Sequence, residues 1–228
     1  MIGRWGFRVD VPDRIREIRP LLHYGMLDLA KYQLRNVMSE LNPYLERDTP
    51  VIFLEPSTAA VFRDELPALF PNNQNGRRLT KNTFLLSEFI DRENLPLPKL
   101  ERKAIFHAHC HQKAVLNPDA ERNVLRGMGI DFEEPWVGCY GMAGSFGFER
   151  GHYDISLRIA EEHLFPAVRE AGSDTLVIAD GFSCRTQIFD GTGRHALHLA
   201  EAILMAYEQA GELPPKREVV PERKPVAR

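Results

Sequence analysis

The stretches AIFHAHCHQK (104–113), CYGMAGSFG (139–147) and LVIADGFSC (176–184) decide the fold, because each joins a strand-like or glycine-rich element to one cysteine. Cys110 follows the apolar run 104–106, and Cys184 follows a β-type run that breaks at Gly181. Cys139 opens a segment whose glycines allow close backbone approach. In α/β proteins, residues at the carboxyl ends of strands gather in one region. We therefore expect the three cysteines to form one site.

Size and composition set limits on the class of protein. The chain has 228 residues, 43% of them hydrophobic, which is enough for a core in one or two domains. A net charge of -3 without a basic face argues against nucleic acid as a partner. No apolar run approaches the roughly 20 residues that span a bilayer, and no secretory signal is found, so we expect a cytoplasmic protein. Three cysteines are too few for a disulfide scaffold and are expected to be reduced.

The first half shows helices around one short strand. Apolar residues recurring every three or four positions predict an amphipathic helix over 26–41, ended by Asn42 and Pro43. The run 49–54 predicts a buried strand, followed by a turn at 55–57 and a helix towards Leu69. A polar loop is expected at 71–76, a helix at 83–90 and a proline-containing connector at 94–98.

The same order of elements returns after the connector. We predict strands at 103–106, 130–133 and 175–179 and helices at 118–128 and 196–207. A long helix from His152 is expected to kink or split at Pro166.

The two halves align at a constant shift of 126 residues. Segment 48–52 (DTPVI) falls on 174–178 (DTLVI), and Gly25 falls on Gly151. We interpret this as a degenerate repeat and expect an α/β fold of two repeated units, with short, mainly parallel sheets flanked by helices. The units are predicted at 1–98, which is truncated and lacks cysteines, and at 99–210, with a flexible charged tail at 211–228.

Thiolates at glycine-bearing turns suit iron-sulfur clusters or zinc. The spacing of Cys110, Cys139 and Cys184 is long, however, and by itself a weak signal. Buried cysteines that serve only as core residues remain an alternative at this point.

Four segments resemble the C-terminal tandem cysteine-rich (CCG) domains of FAD-linked 2-hydroxy acid dehydrogenases. They are LEPS (54–57), HAHCHQK (107–113), 139–147 and ADGFSCR (179–185). That family includes D-lactate, glycolate and D-2-hydroxyglutarate oxidoreductases, and its cysteine-rich domain is related to the B subunit of heterodisulfide reductases. The resemblance implies an iron-sulfur module that passes electrons from a flavin to an acceptor, with FAD on a partner domain or subunit.

The chain also departs from the family pattern. Tyr140 stands where the family has a second adjacent cysteine. In the first unit, residues 16–18 replace the expected Cys-Cys-Gly, and Thr58 replaces another cysteine. The remaining ligands are Cys110, Cys139 and Cys184, with His109 and His111 as candidates for a further position. A three-iron cluster, a four-iron cluster, zinc and an empty site are the outcomes to distinguish.

Five further residues are candidate neighbours of the site. If the segment is extended, one face carries His107, His109 and His111. These histidines would then serve as ligands or a proton relay beside the site, or they would only hydrogen-bond backbone carbonyls. Lys113 and Arg185 would offset the negative charge of a cluster, or form surface salt bridges. Asp180 is expected to cap a turn, and Tyr140 to adjoin the cluster or fill the space of the missing thiol.

The sequence therefore predicts an electron-transfer component of a flavin-dependent 2-hydroxy acid oxidoreductase, with no catalytic residues of its own. Its partners would be an FAD-binding dehydrogenase domain or subunit and a downstream acceptor, at the inner face of the membrane if those partners reside there. One alternative is a cluster-free docking remnant of the same flavoenzyme. Another is a cysteine-nucleophile enzyme in which a histidine activates Cys110.

Overall fold

The computed structural model of the chain describes residues 2–12, 15–135 and 139–212. The predicted charged tail thus lies outside the described residues from position 213 onward.

The first part of the chain surrounds a two-stranded sheet with helices. Its elements are a 3-10 turn (Ile2–Trp5), α1 (Arg19–His23), α2 (Leu27–Leu45), β1 (Val51–Phe53), α3 (Pro56–Ala60), a π-helical turn (Val61–Glu65), α4 (Leu66–Leu69), α5 (Gln74–Asn82), β2 (Thr83–Leu85) and α6 (Leu86–Arg92). Strands β1 and β2 are parallel, with Val51 opposite Thr83.

The second part surrounds a three-stranded parallel sheet in the order β4-β3-β5. Its elements are β3 (Lys103–Phe106), α7 (Cys110–Ala114), α8 (Pro118–Gly127), β4 (Asp131–Glu133), a 3-10 turn (Phe146–Phe148), α9 (Tyr153–Glu161), α10 (Leu164–Glu170), β5 (Leu176–Ile178), α11 (Phe182–Thr192) and α12 (Leu199–Gln209). Two short parallel sheets flanked by helices confirm the predicted α/β class.

The interval of 126 residues recurs in the positions where helices begin. Helices α2 and α9 start 126 positions apart, at Leu27 and Tyr153, and so do α3 and α11, at Pro56 and Phe182. Gly25 lies just before α2 and Gly151 lies just before α9. Both glycines have the left-handed backbone that favours glycine. The boundary between the units at residue 98 stays a prediction. Leu86 of α6, which precedes this boundary, belongs to the same buried cluster as Phe106 and Ile203, which follow it.

Helix α2 contradicts the predicted stop at Asn42 and Pro43. It continues to Leu45, and the amide of Glu46 still donates to the carbonyl of Asn42 at 3.0 Å. Pro43 lies in the last turn, where it removes only one hydrogen bond. Leu45, at 1% exposure, holds that turn against the core.

The segment from β1 to β2 was predicted incorrectly in three respects. Helix α5 begins inside the expected loop, because the side chain of Asn73 accepts from the amide of Gly76 at 2.8 Å and caps the helix. Residues 83–85 form β2 rather than the start of a helix, since pairing with β1 overrides local propensity. Strand β1 is shorter than predicted and only half-buried, because its sheet has just two strands.

The helix predicted from His152 is split, but not at Pro166. Helix α9 ends at Glu161 and α10 starts at Leu164, which places Pro166 in the first turn of α10. A missing amide is tolerated there, because the first turn has no intrahelical partner for it. Among the described residues, no helix combines the length and apolar character needed to cross a bilayer.

We predict opposite effects for alanine at two helical glycines. A Cβ on Gly191 would lie 2.1 Å from the ring of Phe165, which is fully buried, so Gly191→Ala should destabilise the protein by about 1–3 kcal/mol. Gly127, at the end of α8, has open space around it, so Gly127→Ala should be neutral or stabilising by up to about 1 kcal/mol. Urea unfolding measures both, and equal effects would contradict this packing.

Candidate metal centre

The three cysteines line one cavity of about 490 Å³. Strands β3 and β5 are parallel neighbours, so their last residues, Phe106 and Ile178, lie at the same end of the sheet. Helix α7 begins there with Cys110, and α11 places Cys184 in its first turn. Cys139 reaches the same cavity from the segment after β4. The structure therefore brings the predicted cysteines together, and their role as ligands remains a prediction.

The histidines are not arranged as an extended segment would place them. Helix α7 starts at Cys110, so the segment is not extended through His111, and the common face expected for His107, His109 and His111 on that condition does not apply. His109 caps the helix, its Nδ1 accepting from the amide of His111 at 3.1 Å. The Cys110 sulfur lies 3.8 Å from Nδ1 of both His109 and His111. Within the described ranges, these three residues form the one His/Cys/carboxylate group compact enough for a metal ion.

Both histidines of this group are suited to be neutral ligands. Burial, then the neighbouring His111 and Arg19, lowers the pKa of His109 to about 3. Burial and Arg19 also lower the pKa of His111, although three carboxylates led by Glu65 oppose this. Neutral imidazole is the form that binds metals.

Cys139 lies in a backbone pocket for an anion. A hydrogen bond from Cys110, then amides of Gly141, Ala143 and Met142, lower the pKa of Cys139 to about 5 despite partial burial. Positive φ angles at 141, 143 and 144 curve the chain so that these amides can converge. The predicted close approach at glycine is present, since a Cβ on Gly141 would lie 2.8 Å from the backbone of Ser156.

The other two thiols are held in the neutral form by their surroundings. The hydrogen bond to Cys139, then burial, raises the pKa of Cys110, and the charges of Cys139 and Cys184 add to this. Burial, then the charge of Glu55, raises the pKa of Cys184. The three thiols line one cavity, and the charge of Cys139 raises the pKa of Cys110 and of Cys184, so ionisation of all three needs a compensating cation. A soft metal or an iron-sulfur cluster therefore fits this donor set.

Tyr140 lines the cavity beside the sulfurs, and the buried His107 packs against Tyr140. The hydroxyl of Tyr140 donates to the Cys184 sulfur at 3.2 Å. The ring of His107 packs edge-on against Tyr140 with centroids 3.9 Å apart, and burial lowers the pKa of His107 well below its usual value.

The predicted charged neighbours make different contacts. Lys113 pairs with Glu134 at 3.6 Å. Arg185 donates to the carbonyl of Ala179 at 3.0 Å and also lowers the pKa of Cys184 through its charge. Asp180 accepts from the amide of Leu199 at 2.8 Å, so it caps the first turn of α12 instead of its own turn.

Sequence reasoning missed the contribution of the first unit. Glu55 caps α3 by accepting from the amide of Ser57 at 3.2 Å, and its other oxygen accepts from the amide of Phe182 at 2.8 Å. His198 contacts the carbonyl of Leu54 at 2.8 Å. The only sequence signal was the LEPS segment (54–57), which carried the resemblance but indicated no role.

A second missed group lies under α7. The side chain of Gln112 accepts from the amide of His109 at 2.7 Å and donates to Glu121 at 2.5 Å. Burial, then the nearby Asp180, raises the pKa of Glu121 well above its usual value. This buried acid thus supports the turn that carries Cys110 through Gln112, and no motif marks it in the sequence.

In the first unit, hydrogen-bonded polar side chains stand at two positions where the resemblance expects cysteines. Thr58 and Glu17, both at positions where the resemblance expects cysteines, are joined by a 2.6 Å hydrogen bond from the Thr58 hydroxyl. Glu17 also accepts from the amides of Ile18 and Arg19 at 2.9 Å. A polar contact therefore closes the equivalent turn in the first copy.

Thiol reactivity should follow this arrangement. In metal-free protein, iodoacetamide should modify the exposed Cys139 first, because its thiolate persists at neutral pH, and should modify the buried Cys184 most slowly. The Cys139 rate should be nearly flat between about pH 6 and 8 and fall as pH drops through about 5. Peptide mass spectrometry follows each site, and faster alkylation of Cys110 would contradict the assignment.

Comparisons with known proteins supply the family context. No protein-family model matches the chain, and no solved structure matches it significantly. It is 28% identical over 193 residues to the C subunit of anaerobic glycerol-3-phosphate dehydrogenase from Escherichia coli K12, covering 81% of this chain and 48% of that protein. It is 27% identical over 184 residues to D-2-hydroxyglutarate dehydrogenase from the same organism, covering 79% of this chain and 18% of that protein.

A third relative has a similar length. Lactate utilization protein A from Bacillus licheniformis is 27% identical over 221 residues, covering 89% of both chains. The chain thus spans about half of the glycerol-3-phosphate dehydrogenase component and a smaller share of the hydroxyglutarate enzyme. These relatives are subunits or parts of dehydrogenases and a lactate utilization protein, and they confirm the resemblance of this chain to the cysteine-rich (CCG) domains of FAD-linked 2-hydroxy acid dehydrogenases.

Proposed function

We propose that this protein is the electron-transfer component of an FAD-linked 2-hydroxy acid dehydrogenase system. The observation that carries the proposal is the meeting of Cys110, Cys139 and Cys184 in one cavity. The names of the relatives, two of them dehydrogenase proteins, support the same class. In this proposal the flavin resides on a partner domain or subunit, and a further partner accepts the electrons.

The three cysteines would hold an iron-sulfur cluster, with His109 or His111 as a further ligand. When bound, such a cluster supplies one-electron transfer. The chain's own residues prepare the position for it: amides around Cys139 stabilise a thiolate, and burial of Cys184 excludes water. Zinc is the alternative metal, because the same thiols and imidazoles would also bind it.

We assign different roles to the two predicted units. Residues 99–210 would supply the sulfurs, and residues 1–98 would supply the facing wall, where Arg19 is bonded to Glu65 and to the carbonyl of Ser57. We expect the protein to work in the cytoplasm, reaching the inner face of a membrane only through its partners.

A cluster-free docking module is the second candidate function. The observation favouring it is Tyr140, which replaces a cysteine expected from the resemblance and leaves three sulfurs. An enzyme in which a histidine activates Cys110 as a nucleophile is disfavoured, since the pKa of Cys110 is raised despite its two histidine neighbours.

Metal content tests the proposal directly. Protein prepared or reconstituted without oxygen should contain roughly three or four iron atoms per chain with matching sulfide, and dithionite should bleach its visible absorbance. Serine at Cys110, Cys139 or Cys184 should each remove most of the iron, because three ligands leave no spare thiolate. Ser183→Ala is the matched control, since Ser183 lines the same cavity without offering a sulfur.

The contradicting results are equally specific. If the protein contains zinc and no sulfide, the metal has a structural role and the proposed electron transfer is contradicted. Protein lacking both metals under these conditions would leave the docking module as the function.

A further inference from the structure

Tyr140 occupies an unusual position for a phenol. Its side chain is 3% exposed, and its hydroxyl lies 3.2 Å from the sulfur of Cys184, which is 2% exposed. Both residues line the cavity, and the hydrogen bond between them is buried. Tyr140 also follows Cys139 directly, where the resemblance expects another thiol.

The phenol is held in place from two directions. The side-chain amide of Gln187 donates to the carbonyl of Tyr140 at 2.7 Å and to the Ser156 hydroxyl at 2.6 Å, which ties the loop to α9. The ring of His107 packs edge-on against the phenol ring with centroids 3.9 Å apart. With backbone and ring both fixed, the hydroxyl keeps its direction towards Cys184.

We propose that Tyr140 sets the reduction potential of the metal centre by donating a hydrogen bond to the Cys184 sulfur. This inference rests on the proposed function, because it requires a redox-active cluster held by Cys110, Cys139 and Cys184. Hydrogen bonds to ligand sulfurs stabilise the more negative, reduced state and raise the potential. Burial strengthens the effect, since water does not compete for either group.

The geometry favours a hydrogen-bond donor over a phenolate ligand. An ionised Tyr140 would have no proton to donate, whereas the hydroxyl of Tyr140 donates to the Cys184 sulfur at 3.2 Å. The protonated phenol satisfies both groups. Tyr140 is therefore a positioning residue that acts through Cys184 and does not bind the metal.

Replacing the phenol by phenylalanine isolates this hydrogen bond. Tyr140→Phe should retain the iron and visible spectrum of the unmodified protein, while the midpoint potential in an anaerobic redox titration becomes more negative. Tyr207→Phe is the matched control: Tyr207 is also buried, but its hydroxyl donates to the carbonyl of Pro96 at 3.4 Å. It should leave the potential unchanged.

An unchanged potential in Tyr140→Phe that still holds its cluster overturns the inference and leaves the proposed function standing. Loss of iron together with a phenolate charge-transfer band overturns it in favour of a tyrosine ligand. If the unmodified protein holds no cluster, the proposed function itself fails, and the inference falls with it.

A second measurement needs no variant and so does not depend on its folding. In the reduced protein exchanged into D₂O, electron-nuclear double resonance should detect a deuteron coupled to the cluster near a ligand sulfur. Selective deuteration of the tyrosine rings then adds couplings between the ring deuterons and the cluster spin. These added couplings identify the donor as a tyrosine. The absence of any exchangeable deuteron signal from a tyrosine overturns the inference.

Discussion

The parallel pairing of β3 with β5 is the constraint on which the site depends. It brings the ends of two strands to one sheet edge, where the amide of His107 continues the ladder by donating to the carbonyl of Ile178 at 2.8 Å. Helices α7 and α11 begin shortly after these strand ends and carry Cys110 and Cys184. Sulfurs 74 positions apart in sequence thereby line one cavity, with Cys139 entering from the neighbouring loop.

The thiol-free first unit contributes structure to this site. One carboxylate, Glu55, caps α3 of the first unit and α11 of the second, which are the equivalent helices of the repeat. The contact of His198 with the carbonyl of Leu54 fastens the same junction. The strand-to-helix turn of the first copy, which carries Thr58 where the resemblance expects a cysteine, therefore contributes contacts to the second copy.

Local sequence patterns predicted much of the second unit. Strand β3 matches its predicted bounds, and α8 and β5 lie within theirs, because short apolar runs and a clear helical period determine them. Helices α7 and α11 were missed, since their first residues read as turns in sequence. The capping side chain of His109 and the support from Gln112 and Glu121 depend on tertiary contacts that no sequence window contains.

Cadmium binding to the metal-free protein tests the convergence of the three sulfurs most directly, because ¹¹³Cd NMR frequencies report how many thiolates surround the ion. Our account predicts one tightly bound ion per chain, with a single resonance in the range of three-sulfur coordination that moves when Cys110, Cys139 or Cys184 is replaced by serine. Weak binding, or a resonance that any of these three replacements leaves unchanged, would contradict a shared site.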